Sequence, residues 1–253
     1  MSGSSTSSVP RFFVDVPLAA DAHVTLPAEV ARHVQVLRLE AGDALTLFDG
    51  TGGQHRAELI EVGKRTAIAR TVAFDAREVE TPYRVTLAQG IAGGDKMDWL
   101  IEKAVELGVA AVAPLSTARG VVRLSGERAE KRVAHWQGVV RASCEQCGRN
   151  RLPTVANVAD FNGWLSALPA AASDELRLML SPRASIAFDA LPATAPAGGV
   201  TLLIGPEGGL SPAEEDAARE AGFQAIVLGA RVLRTETAGM AMLAALAARW
   251  GGW

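Results

Sequence analysis

The chain has 253 residues, 49% of them hydrophobic, with a formal net charge of −3. That is enough for one large or two modest domains with a full core. No apolar run is long enough to span a bilayer, and the acidic balance argues against a wholly basic nucleic-acid coat. Residues 1–9 are rich in Ser and Gly and lack an apolar stretch, so they read as a disordered tail rather than a secretory signal. A cytoplasmic protein with no membrane partner is expected.

Residues 10–75 carry short alternating segments broken by turn residues. Asp49-Gly50 and Gly52-Gly53 lie between Ala44–Phe48 and Gln54–Ile60, which is a hairpin signal. Another strand is predicted at 66–74, and a helix at 27–39 bearing Arg32, His33 and Arg38. This block is expected to be a small β-barrel, with the polar run 75–82 as linker.

From Tyr83 the texture changes to strands alternating with helices. Strands are predicted at 83–90, 109–114, 176–180, 200–204 and 225–228, and helices at 96–107, 127–147, 211–222 and 237–250. Asp95 is the expected cap of the first helix. Ser211-Pro212-Ala213-Glu214 has the spacing of a capping box with proline in the first turn. The last helix is apolar nearly all round, which implies burial against the sheet or a second subunit. The class is α/β, a β domain followed by a domain with a mainly parallel sheet.

Cys144 and Cys147, the only cysteines, stand at Cys-x-x-Cys spacing inside the long helix. With no preceding strand and no second ligand pair, they read as incidental rather than redox-active or metal-binding. No metal is expected.

Two glycine-rich turns carry the chemistry. Ile204-Gly205-Pro206-Glu207-Gly208-Gly209 and Leu228-Gly229-Ala230-Arg231-Val232-Leu233-Arg234-Thr235-Glu236-Thr237-Ala238 each follow an apolar strand and precede a helix. Glycines leave backbone donors and acceptors open to close approach by a flat polar ligand such as adenine. The order does not match a dinucleotide fingerprint, and no Walker lysine follows. Gly90–Asp95 reads on spacing alone as a flexible turn and helix cap. Side chains free for function in the two turns are Glu207, Arg231, Arg234 and Glu236.

These two motifs resemble the RsmE-type small-subunit (16S) ribosomal RNA uridine-N3 methyltransferases of the SPOUT superfamily. Lys103–Val109, Pro114 with Arg119, Ser143–Arg149 before Pro153, His33–Arg38 and Phe48–Gly50 agree with the same family. The resemblance spans roughly residues 10–250. Leu210 departs from the family's usual aromatic residue, and Val232 from its usual isoleucine.

The resemblance implies a PUA-like barrel at residues 10–75, then a methyltransferase domain at 76–253 whose C-terminal part forms a deep trefoil knot. Such a knot is contrary to the rule that chains do not thread their own loops. It further implies S-adenosyl-L-methionine as cofactor, ribosomal RNA or the small subunit as partner, and a homodimer packed through the last helix. The cofactor site would be Leu180, Gly205, Pro206, Glu207, Gly208, Gly209, Leu228, Gly229, Val232 and Leu233. Arg234 would stabilise charge on a uracil oxygen, with Glu236 or Glu207 accepting the N3 proton. Glu236 has a second reading, as a carboxylate favourable at a helix start.

Between Arg119 and Arg151 eight basic residues face three acidic ones, a local surface suited to phosphate. Expected RNA contacts are Arg11, Arg32, His33, Arg38, Arg119, Arg123, Arg149 and Arg151. A SPOUT enzyme for another RNA, such as transfer RNA, and a non-catalytic RNA-binding module are the alternatives.

Overall fold

The computed structural model describes residues 9–184 and 186–253. The expected tail thus lies, but for Val9, outside the described residues. The chain divides into two compact units, 1–79 with 144–152, and 80–143 with 153–253.

The first unit is built on a five-stranded sheet. Its strands are β1 (Arg11–Phe13), β2 (His23–Thr25), β3 (Ala44–Phe48), β4 (Gln54–Val62) and β5 (Ala67–Asp75), in the order β1-β3-β4-β5-β2. Only the β1–β3 pair is parallel. Helix α1 (Ala28–Val36) turns Val30, Ala31 and Val34 into the core formed by Phe12, Leu45, Leu47 and Leu59. The predicted helix ran three residues further. The chain leaves it through Leu37 and then Arg38, whose φ is +58°. A non-glycine residue in that left-handed region ends a helix at some cost in strain.

The second unit holds an eight-stranded sheet in which every strand pair is parallel. Its strands are β6 (Val85–Gly90), β7 (Ala111–Ser116), β8 (Thr154–Val155), β9 (Ala159–Asp160), β10 (Leu176–Leu180), β11 (Ile186–Ala187), β12 (Val200–Ile204) and β13 (Gln224–Val227). The order is β11-β13-β10-β12-β6-β7-β8, with β9 also on β7. Interior strands buried on both faces read as near-continuous apolar runs, and Leu87, Leu178, Leu202 and Leu203 are fully buried.

The helices are α2 (Lys96–Glu106), α3 (Gly126–Cys147), α4 (Phe161–Ala167), α5 (Pro212–Glu220) and α6 (Thr235–Trp250). The last turn of α3 belongs to the first unit. Ser211 forms the expected capping box with Glu214. Asp95 does not cap α2: its backbone is near-helical, with φ −85° and ψ 1°, and its side chain makes no cap hydrogen bond. Helix α6 starts two residues earlier than predicted and packs on α2 and β12. No described helix is long and apolar enough to cross a membrane.

Because β13, β10, β12 and β6 are adjacent and parallel, their C-terminal ends share one edge of the sheet. The loops that follow them (residues 228–234, 181–184, 205–211 and 91–95) therefore converge. In open parallel sheets that edge is where ligands bind.

Candidate active site

A cavity of about 470 Å³ opens at this edge, within the size range of small-molecule sites. Its walls come from both glycine turns, from the loops after β7 and β10, and from Lys96 at the start of α2. Of the residues expected to hold a ligand, Leu180, Gly205, Pro206, Glu207, Gly208, Gly209, Leu228, Val232 and Leu233 line it. Gly229 does not; it sits outside in the left-handed conformation, φ +76°. Val232 is 81% exposed and forms part of the rim.

The first turn is clamped from three sides. Gly205 closes on its own loop: a Cβ there would meet the Leu210 nitrogen at 2.7 Å. Gly90 lies against it, where a Cβ would meet both Cδ and N of Pro206 at 2.6 Å. Gly90 thus braces the first turn from behind, although no residue of Gly90–Asp95 lines the cavity. On the far side Arg119 Nη1 donates to the carbonyls of Gly208 and Leu210, each at 3.3 Å. Glu214 holds the same loop by accepting from the Ala118 N–H at 2.7 Å and from the Ser211 N–H at 2.8 Å.

Glu207 spans the cavity mouth. Its Oε1 accepts from Lys96 Nζ at 2.9 Å and from the Gly93 N–H at 3.0 Å. Burial pushes the Glu207 carboxyl up, but these hydrogen bonds outweigh it and hold the group below the ordinary carboxylate range.

A second carboxylate, Glu215, is 5% exposed and lines the cavity beside the loop after β10. Its Oε1 accepts from Ser181 Oγ at 3.1 Å and from Arg183 Nη2 at 2.6 Å, and Oε2 accepts from Arg219 at 3.1 Å. A buried carboxylate with that many donors is fully engaged and serves to fix the loop.

Arg231, Arg234 and Glu236 also line the cavity. Among the described residues none of their side chains has a hydrogen-bond or ion-pair partner, and Glu236 Oε2 is buried without one. Arg231 therefore does not tie the loop to a carboxylate. A buried carboxylate oxygen with no partner is costly unless a ligand completes it.

Family and structural relatives agree with one another. A model described as an RNA methyltransferase domain matches residues 79–247, and one described as an RNA methyltransferase PUA domain matches residues 26–72. The ribosomal RNA small subunit methyltransferase E of Bacillus subtilis is 33% identical across 86% of this chain and 86% of its own. That of Buchnera aphidicola subsp. Schizaphis graminum is 31% identical across 96% and 97%. The chain belongs to the ribosomal RNA small subunit methyltransferase E family.

The crystal structure of the family member from Neisseria gonorrhoeae, bound to S-adenosyl methionine, superposes with a TM-score of 0.89 at 39% identity. It covers 96% of this chain and 98% of its own. A methyltransferase from Legionella pneumophila in complex with the same cofactor also gives 0.89, at 33% identity over 95% and 98%. The fold is thus that of a SPOUT-type α/β methyltransferase preceded by a PUA-like domain.

The arginines expected to meet RNA divide into two sets in this methyltransferase. Arg32 and His33 are exposed on α1, and Arg38 is exposed just beyond its end. Arg151 is more than half exposed and pairs with Glu78 at 3.4 Å. Arg149 is 4% exposed, so its guanidinium has no surface to offer a phosphate, and that expectation is corrected. Arg11 is half-buried and spent on Gln54, the Arg149 carbonyl and Asn150. Arg123 braces the chain after β7 through Ser116 Oγ and the carbonyls of Thr117 and Ala118.

Sequence reasoning missed Lys96, Gln89, Ser181, Arg183, Glu215 and Thr235. The glycines before Lys96 and the position of Thr235 inside the second motif were available signals. Leu180, expected in the site, stands next to Ser181, but no motif marked Ser181 or Arg183 themselves.

Proposed function

We propose that the chain methylates N3 of a uridine in small-subunit ribosomal RNA, with S-adenosyl-L-methionine as donor. The observation that carries this reading is the cavity formed by two glycine turns in a chain of this family, with unpartnered Arg234 and Glu236 at its edge.

The residues present suit the cofactor. The volume matches a nucleoside-sized ligand, the open backbone of residues 205–209 and 228–233 can read adenine, and Leu180, Leu228 and Leu233 supply apolar walls. When bound, S-adenosylmethionine supplies an electrophilic methyl group and no metal is required. What the protein must add is alignment and charge control. Uridine N3 keeps its proton at neutral pH, so that proton must leave as the N–C bond forms and the methyl carbon's bond to the sulfonium sulfur breaks, leaving a neutral thioether.

Glu236, with a free buried oxygen, is assigned as the proton acceptor, and Arg234 as the donor to the uracil oxygen that gains negative charge. Glu207 is assigned a different part: a carboxylate already held by Lys96 and Gly93 is a poor base and a good clasp. Arg32, His33, Arg38 and Arg151 are assigned to RNA, and Arg119 to holding the first glycine turn. A homodimer in the cytoplasm completes the reading, and the half-covered Met240, Ala241, Ala244 and Ala245 on α6 support the subunit contact. The trefoil knot belongs to the same reading.

The test is mass mapping of small-subunit RNA incubated with the protein and labelled cofactor. One methyl group on uridine N3 is expected. Methyl transfer to transfer RNA alone would overturn the substrate assignment, and no transfer to any RNA would overturn the enzyme. Glu236→Gln is expected to lower kcat by about 100-fold or more with cofactor affinity retained. Unchanged turnover would remove Glu236 from the chemistry.

The clasp has a definite pH dependence. Glu207 has a depressed pKa when the loop is formed, so its contribution is complete above the ordinary carboxylate range. It is lost only as pH falls through that depressed value. Cofactor affinity by calorimetry is therefore expected to show no Glu207-dependent change between pH 8 and about 5, where that contribution is constant. Glu207→Gln keeps an acceptor for Gly93 and loses the ion pair, so affinity should fall by no more than about fivefold for so exposed a pair. A Glu207-dependent change in affinity between pH 8 and 6 would contradict the clasp.

A further inference from the structure

The two groups assigned to chemistry have nothing to hold their side chains. Among the described residues neither Arg234 nor Glu236 makes a hydrogen bond or ion pair. Their placement comes from the backbone of the first turn of α6, and the residue between them is Thr235. Thr235 is 7% exposed and points inward, where its Oγ1 donates to the Gly205 carbonyl at 2.6 Å. The same hydroxyl accepts from Gln89 Nε2 at 2.9 Å.

Gln89 is fully buried at the end of β6. Its amide nitrogen also donates to the Gly90 carbonyl at 2.9 Å and to the Gly205 carbonyl at 3.3 Å. One buried amide and one hydroxyl thus join the end of β6, the first glycine turn and the start of α6. One turn further along α6, Gly239 faces the same way, and a Cβ there would meet Ile204 Cδ1 at 2.9 Å. Gly239 fixes how close the helix lies to β12. Thr235 fixes its rotation, and successive residues on a helix lie about 100° apart around the axis, so the same hydrogen bond aims Glu236 and anchors the chain at Arg234, the extended residue that precedes the helix.

We propose that Gln89 and Thr235 form a positioning node that aims Arg234 and Glu236 across the first glycine turn and thereby sets turnover. The proposal rests on the methyltransferase reading above. Neither residue touches the reacting atoms; both act through the two that do.

The full-length protein is assayed for methyl transfer and, separately, for cofactor binding by calorimetry. Thr235→Val, which keeps the shape and removes the hydroxyl, is expected to lower kcat by about tenfold or more while cofactor affinity changes by less than about threefold. Thr235→Ser should recover most of the loss. Combining Thr235→Val with Gln89→Leu should cost little beyond the worse single change, because both remove the same node. Equal losses in affinity and turnover, no recovery in Thr235→Ser, or additive effects in the double variant would each overturn the proposal.

If Thr235→Val does not fold, Gln89→Glu decides. An ionised carboxylate there repels the Gly90 and Gly205 carbonyls, whereas the protonated acid can donate to one of them. Its activity relative to the unaltered protein is expected to rise as pH falls, and a ratio independent of pH would overturn the node. If the unaltered protein methylates no RNA, the functional reading fails by itself. The node is then read by hydrogen exchange at the Thr237 and Ala238 amides, which donate to the Arg234 carbonyl. Faster exchange in Thr235→Val or Gln89→Leu supports the node, and unchanged exchange overturns it.

Discussion

Arg234→Ala is expected to lower kcat by about 100-fold or more, while cofactor affinity moves by less than about threefold. The physical reason lies in where the charge appears. As N3 loses its proton, negative charge spreads onto the neighbouring uracil oxygens, and a guanidinium already in place stabilises it without solvent reorganisation. Arg234 lines the cavity, is exposed, and among the described residues is bound to nothing. Its donors are therefore available to the transition state rather than spent on the fold. Arg119 is the contrast: it also lines the cavity, but it is engaged with the Gly208 and Leu210 carbonyls. Its loss should therefore weaken cofactor binding along with turnover. Steady-state kinetics with calorimetry on Arg234→Ala would check the split, and equal losses in kcat and affinity would contradict a transition-state role.

The second large effect is expected from Gly90→Ala, a change of one methyl group. Its Cβ would sit 2.6 Å from both Cδ and N of Pro206 and 3.0 Å from the Gly205 carbonyl carbon. Those are mostly backbone atoms of the turn, so no flexible side chain can move aside. Overpacking of this kind costs about 1–3 kcal/mol, and relief requires the 205–209 turn to shift. Cofactor affinity should then fall by about tenfold or more, by the equivalence of 1.4 kcal/mol to a factor of ten. Thermal unfolding and calorimetry on the same sample would check both parts. Full affinity in Gly90→Ala would show that the turn is not fixed by β6.

The elements most legible in the sequence were those with their own local signals. The capping box at Ser211 and Glu214 formed as its spacing implied, and the buried strands β10 and β12 fell on their apolar runs. Strands such as β1, β8, β9 and β11 span two or three residues, and exist because a neighbour pairs with them. No local pattern announces such strands. Helix α4 escaped the sequence reading as well, although Asp160 caps it by accepting from the Asn162 and Gly163 N–H groups.

The site shows the same division. Both glycine motifs were visible because glycine and exposed charge are unusual together in a strand-to-helix loop. What the sequence could not show was strand order. Only the sequence β13-β10-β12-β6 across the sheet brings the loop after β6 to the glycine turn, and with it Gly93 and Lys96 to Glu207. The same order brings Gln89 to Thr235, 146 residues along the chain. Arg149 failed as an RNA contact for a related reason: burial is a property of packing, and a basic residue beside a helix end looks exposed until the chain folds over it.

A crystal structure of the protein with S-adenosylmethionine and a short uridine-containing RNA tests the account most directly. The account predicts the cofactor between residues 204–210 and 226–233, with Glu236 and Arg234 within hydrogen-bond reach of the uracil ring. A cofactor bound elsewhere with those turns empty, or a uridine held away from Arg234 and Glu236, would contradict it.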